Sequence, residues 1–370
     1  MAFGNIYKGK RVLLTGHTGF KGAWLAEWLL QLGAELTGYS LPAPTTPALF
    51  EQLGHESRLN HVIGDIRDLV ALRGVVDRVK PEFVFHLAAQ PLVRLSYSQP
   101  VETYSTNVMG TVNVLEAVRL AGQRCAVVVV TTDKCYENRE WVHSYREEDP
   151  MGGYDPYSSS KGAAELVVSA YRRSYFSAPD SLVRLASARA GNVIGGGDWA
   201  LDRIVPDCIR SLASGATIPV RNKIATRPWQ HVLEPLGGYL WLGALLANPA
   251  LISGRSPMMF QGAYNFGPPP SSNRTVADLV VEVLKHWPGA WSDQSDPKSV
   301  HEATLLNLST DKAYHFLNWK PIWSFAETIA QTVSWYRKVN TATSDAMIET
   351  PAQIASYVYA ARAEGVVWAL

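Results

Sequence analysis

The stretch Arg11-Val12-Leu13-Leu14-Thr15-Gly16-His17-Thr18-Gly19-Phe20-Lys21-Gly22 decides the fold. A short apolar run ends in a glycine-punctuated turn, and helical periodicity follows from Ala23 to Leu32, so the pattern reads strand, turn, helix. Glycines let a backbone approach a pyrophosphate closely, and the N–H groups and dipole at a helix start favour its charge. The spacing is G-x-x-G-x-x-G rather than G-x-G-x-x-G. A merely tight turn would carry glycines too, but after a buried N-terminal strand the reading favours dinucleotide binding.

Outward from this turn the same alternation repeats. A second strand, Glu35 to Tyr39, ends at Tyr39-Ser40, where an acidic residue would hold ribose hydroxyls. No Arg or Lys is adjacent to receive a 2'-phosphate, which favours NAD over NADP. Pro42, Pro44 and Pro47 mark a loop, and His61-Val62-Ile63 is a third strand leading to Asp65, a candidate for the adenine amino group or a helix cap. Phe83 to Ala89 is a fourth strand finishing in small residues that would let a flat cofactor lie on the backbone; His86 within it reads as a satisfied core histidine. Val101 to Leu120 has one long helical pattern, and Cys125 to Val130 is a fifth strand ending in Thr131-Thr132-Asp133-Lys134. Strands alternating with helices predict an α/β fold, a Rossmann-type doubly wound parallel sheet with ligands beyond the carboxyl ends of its strands.

Asp155-Pro156-Tyr157-Ser158-Ser159-Ser160-Lys161 opens the next helix. Asp155 suits an N-cap and Pro156 the first turn, so Tyr157 and Lys161, four apart, stack on one face. A tyrosine with a reference pKa of about 10 serves as a base near neutral pH only when a nearby cation favours its phenolate. An ordinary amphipathic helix would show the same spacing. The glycine turn, Ala88-Ala89 and Thr132-Asp133 fall at the same sheet edge, and that convergence favours catalysis.

Composition bounds the alternatives. The chain has 370 residues, 47% hydrophobic and 18% charged, which suits a globular protein of two lobes. A formal net charge of +1 gives no footprint for nucleic acid or an anionic membrane. Apolar runs fall short of a bilayer span, and Met1 to Lys10 has no signal-peptide core, so the expected location is cytoplasmic. Cys125, Cys135 and Cys208 lack metal-ligand spacing and read as reduced bystanders, with no metal expected.

Taken together, Gly16-x-x-Gly19-x-x-Gly22, Asp65-x-Arg67-Asp68, Phe85-His86-Leu87-Ala88-Ala89 and Tyr157-x-x-x-Lys161 resemble the extended short-chain dehydrogenase/reductase family over nearly the whole chain. Within it, Thr132-Asp133-Lys134 is similar to the Thr-Asp-Glu signature of the sugar-nucleotide 4,6-dehydratases, with Lys134 in place of glutamate. That departure, His86 to Gln90 and Arg189 to Trp199 resemble the CDP-glucose branch. The resemblance implies a tightly bound NAD+ lined by Gly16, Thr18, Gly19, Phe20, Lys21, Gly22, Ser40, Asp65, Ile66, Leu87, Ala88, Ala89, Thr106, Tyr157 and Lys161. It implies a CDP-glucose substrate met by Gln90, Asn192, Arg203 and Arg227, although each arginine could equally make an ion pair. It places residues 1–188, with a return segment about 229–263, in the NAD-binding domain, and 189–228 with 264–370 in a smaller α/β nucleotide-sugar lobe. Homodimers or homotetramers are implied, the dimer through Val101 to Leu120 and Ser159 to Tyr175.

The implied chemistry is an internal redox elimination. Tyr157, as phenolate beside Lys161, takes the 4-hydroxyl proton while hydride leaves C4 for the nicotinamide, and the 4-ketone then acidifies C5–H. Asp133 is the candidate acid for the departing 6-hydroxyl, Thr132 hydrogen-bonds the 4-oxygen, and hydride returns to C6. Lys134 either removes the C5 proton as a neutral amine or only orients Asp133. A nucleotide-sugar 4-epimerase would share the fold, cofactor and Tyr-Lys pair without needing an acid at Asp133, and a catalytically silent dinucleotide-sensing binding protein would have no need of Thr132, Tyr157 and Lys161.

Overall fold

A computed structural model describes residues 2–201, 203–295 and 305–370. Its centre is a sheet of seven strands, β1 (Arg11–Thr15), β2 (Glu35–Ser40), β3 (Asn60–Ile63), β4 (Phe83–His86), β5 (Cys125–Val130), β6 (Val183–Ala190) and β7 (Ala263–Phe266). They lie in the order β7-β6-β5-β4-β1-β2-β3, every neighbouring pair parallel. This is the doubly wound architecture the strand and helix alternation predicts.

Strand side chains alternate between two cores because successive residues point to opposite faces. Val12, Leu14, Phe83, Phe85 and Val128 face one cluster with α1 (Phe20–Gln31) and α5 (Leu233–Ala247). Leu13, Val84, Val127 and Val129 face the other, with α2 (Leu69–Val79), α3 (Gly110–Ala121) and α4 (Pro156–Tyr175). Both faces are covered, so the strands read as continuous apolar runs. The strand order reverses between β1 and β4, and a crevice opens beyond their carboxyl ends.

Three expectations shift. Helix α1 begins at Phe20, inside the glycine turn, rather than at Ala23. The pattern from Val101 to Leu120 is not one helix but a helical turn, Pro100–Tyr104, a π-turn, Ser105–Met109, and α3. The wider turn carries Asn107, whose amide accepts from Gln90 N at 2.9 Å and donates to Ser160 Oγ at 2.8 Å, tying the end of β4 to α4. Such bulges are frequent at functional sites. Finally, β6 and β7 run past residues 188 and 263, and the C-terminal α6 (Ala346–Ala363) lies against α1 rather than in the smaller lobe. There Trp368 stacks on Phe3 at 4.9 Å, and Tyr357 meets Trp28 edge-on at 5.9 Å. The apolar rings bury themselves on the nearest apolar helix face, which periodicity within α6 does not reveal.

The smaller lobe is built from short strand pairs, Ile218–Val220 with Trp291–Asp293 and Thr226–Pro228 with Asn273–Thr275. Glu234, fully buried in the first turn of α5, joins the chain after this lobe to the sheet layers. Its carboxylate accepts from Trp323 N at 2.7 Å, from Ile322 N at 3.0 Å and from the Tyr357 hydroxyl at 2.7 Å. Burial pushes its pKa up to about 7 despite these donors. A carboxyl whose folded pKa is raised binds more protons folded than unfolded between the ordinary carboxylate range and about pH 7, so stability falls as pH rises through that window. Glu234→Gln keeps acceptors for both amides and carries no charge. The variant is expected to match the wild type near pH 4.5 and to exceed it by about 3 kcal/mol at pH 8, at about 1.4 kcal/mol per unit, as read by urea melts. Parallel pH profiles for the two proteins would refute this.

Candidate active site

Helix α4 starts where its sequence dictates. Asp155 accepts from Ser158 N at 2.9 Å and from Ser158 Oγ at 2.6 Å, and Pro156 occupies the first turn, so Tyr157 and Lys161 stand one above the other at the mouth of the crevice. Lys161 Nζ donates to Val130 O, the last carbonyl of β5, at 3.4 Å. One turn further on, Glu165 accepts from Ser187 Oγ and Arg189 Nη2, both at 2.8 Å, and from the Thr131 hydroxyl. Glu165 completes the i, i+4, i+8 series of Tyr157 and Lys161, a signal present in the sequence that motif reading passed over.

Beyond β5 the chain turns through Asp133–Cys135, with Thr132 as the extended residue before it. The Thr132 hydroxyl donates to Asp133 Oδ1 at 2.9 Å and lies near enough to the Tyr157 phenol to favour its ionised form slightly. Asp133 is 2% exposed and its other oxygen lies over Gly191. Lys134 Nζ reaches Asn192 Oδ1 at 3.5 Å. Thr132, Asp133, Lys134, Tyr157 and Lys161 therefore meet at one place, with Asn192 at its edge. Burial pushes the Cys135 thiol up, which leaves it inert as a nucleophile.

The electrostatics differ from the expected phenolate. Burial pushes Tyr157 up to about 12, against a smaller lowering by the neighbouring Thr132 hydroxyl, so in this geometry Tyr157 is a neutral phenol at pH 7. Burial also draws Lys161 down to about 8, while the Glu165 charge pulls it back up. Arg189 holds Glu165 below the usual carboxylate range against the opposing effect of burial. Desolvation sets the direction of the Tyr157 shift, and the cation that lowers it is Arg203 rather than the expected Lys161. Lys21 belongs to the same charge cluster: burial first, then Lys161 and Arg203, bring it to about 8. It leans on Tyr239, Nζ to Oη 3.4 Å, a contact from α5 that no local pattern announced.

The glycine turn packs as a cradle. Gly16 has φ +78°, and a Cβ there would stand 2.7 Å from Ala88 N; a Cβ on Gly22 would overlap the Gly16 carbonyl. The loop, Leu87 and Ala88 thus lie in backbone contact at the β1/β4 switch, with Ala89 next in the chain, and the Gly19 N-cap of α1 offers no side chain to the helix amides. Phe20 stands half-buried in the first turn. His17 beneath the loop bonds His61 at 2.7 Å and is drawn to about 3 by burial, hence neutral. Thr18 and Ser40 hydroxyls bond each other at 2.8 Å, closing the end of β2. Asp65 sits beyond β3 with Arg67 Nε on its oxygens at 2.9 and 3.0 Å. Ile66 turns its side chain into the core, its carbonyl accepting from Asn113 Nδ2 at 3.0 Å, and Thr106 lies half-buried in the π-turn.

Of the four residues expected to meet substrate, Gln90 is committed elsewhere: its amide bonds Thr103 Oγ1 at 2.9 Å and its own loop at Leu92. Arg203 pairs with Asp198 at 2.8 Å, realising the ion-pair alternative, while its charge still acts on Tyr157. Arg227 is buried on the Thr226–Pro228 strand with Nη1 on Thr226 O at 2.8 Å. Among the described residues no cluster of three His, Cys, Asp or Glu side chains could hold a metal ion, and no helix is long and apolar enough to cross a membrane.

A doubly wound sheet with a glycine cradle at its switch point and a Tyr-Lys pair beside it defines an extended short-chain dehydrogenase/reductase. The profile of the GDP-mannose 4,6 dehydratase family matches residues 13–239, and the chain belongs to that family. It is 51% identical to CDP-glucose 4,6-dehydratase of Salmonella typhimurium over 90% of this chain and 92% of that one. A dTDP-glucose 4,6-dehydratase from Streptomyces venezuelae, solved with NAD bound, superposes with a TM-score of 0.74 at 26% identity, covering 90% of this chain and 98% of that one. An epimerase from Methanothermobacter thermautotrophicus, 22% identical with a TM-score of 0.75, covering 92% of this chain and 96% of that one, shares the fold.

Gly191 tests the seating of Asp133. A Cβ there would lie 2.8 Å from Asp133 Oδ2 and 3.2 Å from Pro228 Cγ, so Gly191→Ala must displace the carboxylate. Turnover is expected to fall at least about tenfold, roughly the lower range of a lost acid–base group, with the melting temperature within a few degrees of wild type. Full activity in a folded variant would show that Asp133 Oδ2 is free to move without consequence.

Proposed function

We propose that the protein is a sugar-nucleotide 4,6-dehydratase that converts CDP-glucose to CDP-4-keto-6-deoxyglucose and water with NAD+ retained. The observation that carries the proposal is the placing of a buried acid, Asp133, held by Thr132, beside the Tyr157–Lys161 pair at the switch point. The 51% identity to a CDP-glucose 4,6-dehydratase supports the nucleobase. The cradle fits NAD+, because the missing Cβ atoms at Gly16 and Gly22 leave backbone alone at the loop and α1 opens its first amides there. When bound, NAD+ supplies a reversible acceptor for the sugar's hydride.

The chain's own residues handle protons and position. Tyr157 Oη takes the 4-hydroxyl proton, a role that requires the phenol to ionise; Lys161, one turn away, is the cation that favours that form once the site is filled. Asp133 protonates the departing 6-hydroxyl. Lys134, held by Asn192, is assigned the C5 proton, which a lysine removes only as the neutral amine. Arg227 and Asn192 are assigned to the substrate's diphosphate side, and the lobe formed by residues 191–228 and the segments after β7 to the nucleotide. We also assign self-association to the exposed apolar side chains Leu120, Leu166 and Tyr175 on α3 and α4, and a reducing cytoplasmic setting to the three buried free cysteines.

Purified protein given CDP-glucose, UDP-glucose, dTDP-glucose and GDP-mannose separately is expected to release water only from CDP-glucose at appreciable rate, read as product mass. An unchanged mass with inverted C4 would make it an epimerase, and no change with any sugar a binding protein. Tyr157→Phe should cut kcat by about 10²–10⁴-fold while substrate binding persists, as expected for a lost general base.

Lys134→Met isolates the C5 step. Solvent deuterium should stop entering C5 while C4 oxidation continues. Exchange that goes on at a reduced rate would leave Lys134 only the task of holding Asp133, and near-normal turnover would leave it neither.

A further inference from the structure

Asn265, in β7, stands where three segments distant in the chain meet, and it is 0% exposed. Its Oδ1 accepts from the Tyr136 hydroxyl at 2.7 Å, and its Nδ2 donates to Tyr145 O at 2.9 Å and to Ser309 O at 3.1 Å. The direction of these bonds is forced. Arg189 Nη1, 2.7 Å from the Tyr136 hydroxyl, can only donate, so the hydroxyl hydrogen goes to Asn265. The Asn265 nitrogen then faces two carbonyls, which only accept. Every polar atom of this side chain is therefore committed, and no other residue of its size could accept from a hydroxyl while donating to two carbonyls.

The segments it joins have different tasks. Tyr136 follows directly on the Asp133–Cys135 turn, and Gly152 N on Cys135 O at 2.9 Å holds the far side of that turn. Tyr145 pairs with the chain that follows the described part of the smaller lobe: its N donates to Asn307 O and its O accepts from Ser309 N, both at 2.8 Å. Leu306 and Leu308 there pack on Cys135, Tyr136 and Tyr145. Tyr157 and Lys161 are anchored otherwise, through the Asp155 cap, Val130 O and the bonds of Glu165. The groups assigned to C4 and those assigned to C5 and C6 thus hang on separate supports.

On the reading of the protein as a 4,6-dehydratase, we propose that Asn265 is a positioning residue for the elimination half of the reaction. It ties residues 305–309, on the nucleotide side of the molecule, to Tyr136, and so fixes the turn that carries Asp133 and Lys134 without bearing on Tyr157. Contacts made by the remote nucleotide are in this way used to place the acid and the base of the second half-reaction, which raises kcat rather than affinity alone.

The test separates the half-reactions in single turnovers of the full-length enzyme with CDP-glucose, quenched and read by mass. Oxidation at C4 alone gives a 4-ketosugar that retains its 6-hydroxyl, whereas elimination gives the dehydrated product. Asn265→Ala keeps the backbone bond of residue 265 to Glu147 Oε1, 2.8 Å, and loses the three side-chain bonds. It is expected to form product about tenfold or more slowly, the scale of a misplaced acid–base group, while C4 oxidation stays within about threefold of wild type and the 4-ketosugar builds up. Tyr136→Phe, which keeps the ring, should shift the partition in the same direction. The double variant should be no more than about threefold slower than Asn265→Ala, because both changes break one linkage. A folded Asn265→Ala that loses oxidation and elimination alike overturns the assignment, as do wild-type product formation and losses that multiply in the double variant. Asn265→Ser carries the same comparison if Asn265→Ala does not fold. Wild-type protein that forms no dehydrated product from CDP-glucose overturns the functional reading itself.

Discussion

The carboxylate of Glu165 is the contact on which the geometry of the site depends. It gathers Thr131 at the end of β5, Ser187 in β6 and the Arg189 guanidinium, and so pins α4 across two strands. Arg189 carries the tie outward to the Tyr136 hydroxyl at 2.7 Å and to Glu147 O at 3.0 Å, and Tyr136 continues to Asn265 in β7. A buried ion pair of this kind adds little net stability over an apolar core of the same shape, but loss of one partner strands the other charge at a cost of about 3–5 kcal/mol. Its consequence is register. With α4 fixed on β5, Tyr157 and Lys161 cannot slide relative to Thr132 and Asp133, and catalytic groups tolerate little misplacement.

Desolvation dominates the charges of the site. It raises the phenol of Tyr157 and lowers the ammonium groups of Lys161 and Lys21, so burial disfavours the charged form of each of these three groups. Lys161 keeps its charge near neutrality partly because Glu165 lies one helical turn away. Glu165 in turn stays ionised because Arg189 is beside it. The chain of compensation runs from the sheet interior towards the crevice.

The same logic explains which arginine is held where. Arg203 is committed to Asp198, whose backbone carbonyl also accepts from Tyr336 at 2.6 Å, so this corner is a structural joint as well as a source of positive potential near Tyr157. Gln90 is likewise spent on its own loop, where with Asn107 it shapes the turn after β4. Residue type at these positions suited ligand binding; the neighbours determined the use.

The glycine turn, the apolar runs, the Asp155-Pro156 start of α4 and the four-residue spacing of Tyr157 and Lys161 were legible in the sequence because each is set by local sterics, capping or helical period. These were enough for a doubly wound sheet and for the edge at which its ligands gather. The break of the expected helix at Ser105–Met109, the return of Trp368 onto Phe3, the contact of Lys21 with Tyr239 and the pairing of Arg203 with Asp198 came only from tertiary structure. The Trp368–Phe3 and Lys21–Tyr239 contacts join residues far apart in the chain, and the energies of such contacts come from burial and desolvation. Those depend on what surrounds a side chain in three dimensions, and for that reason the sequence named Tyr157 and Lys161 but only the fold showed a neutral, desolvated phenol beside Thr132 and Asp133.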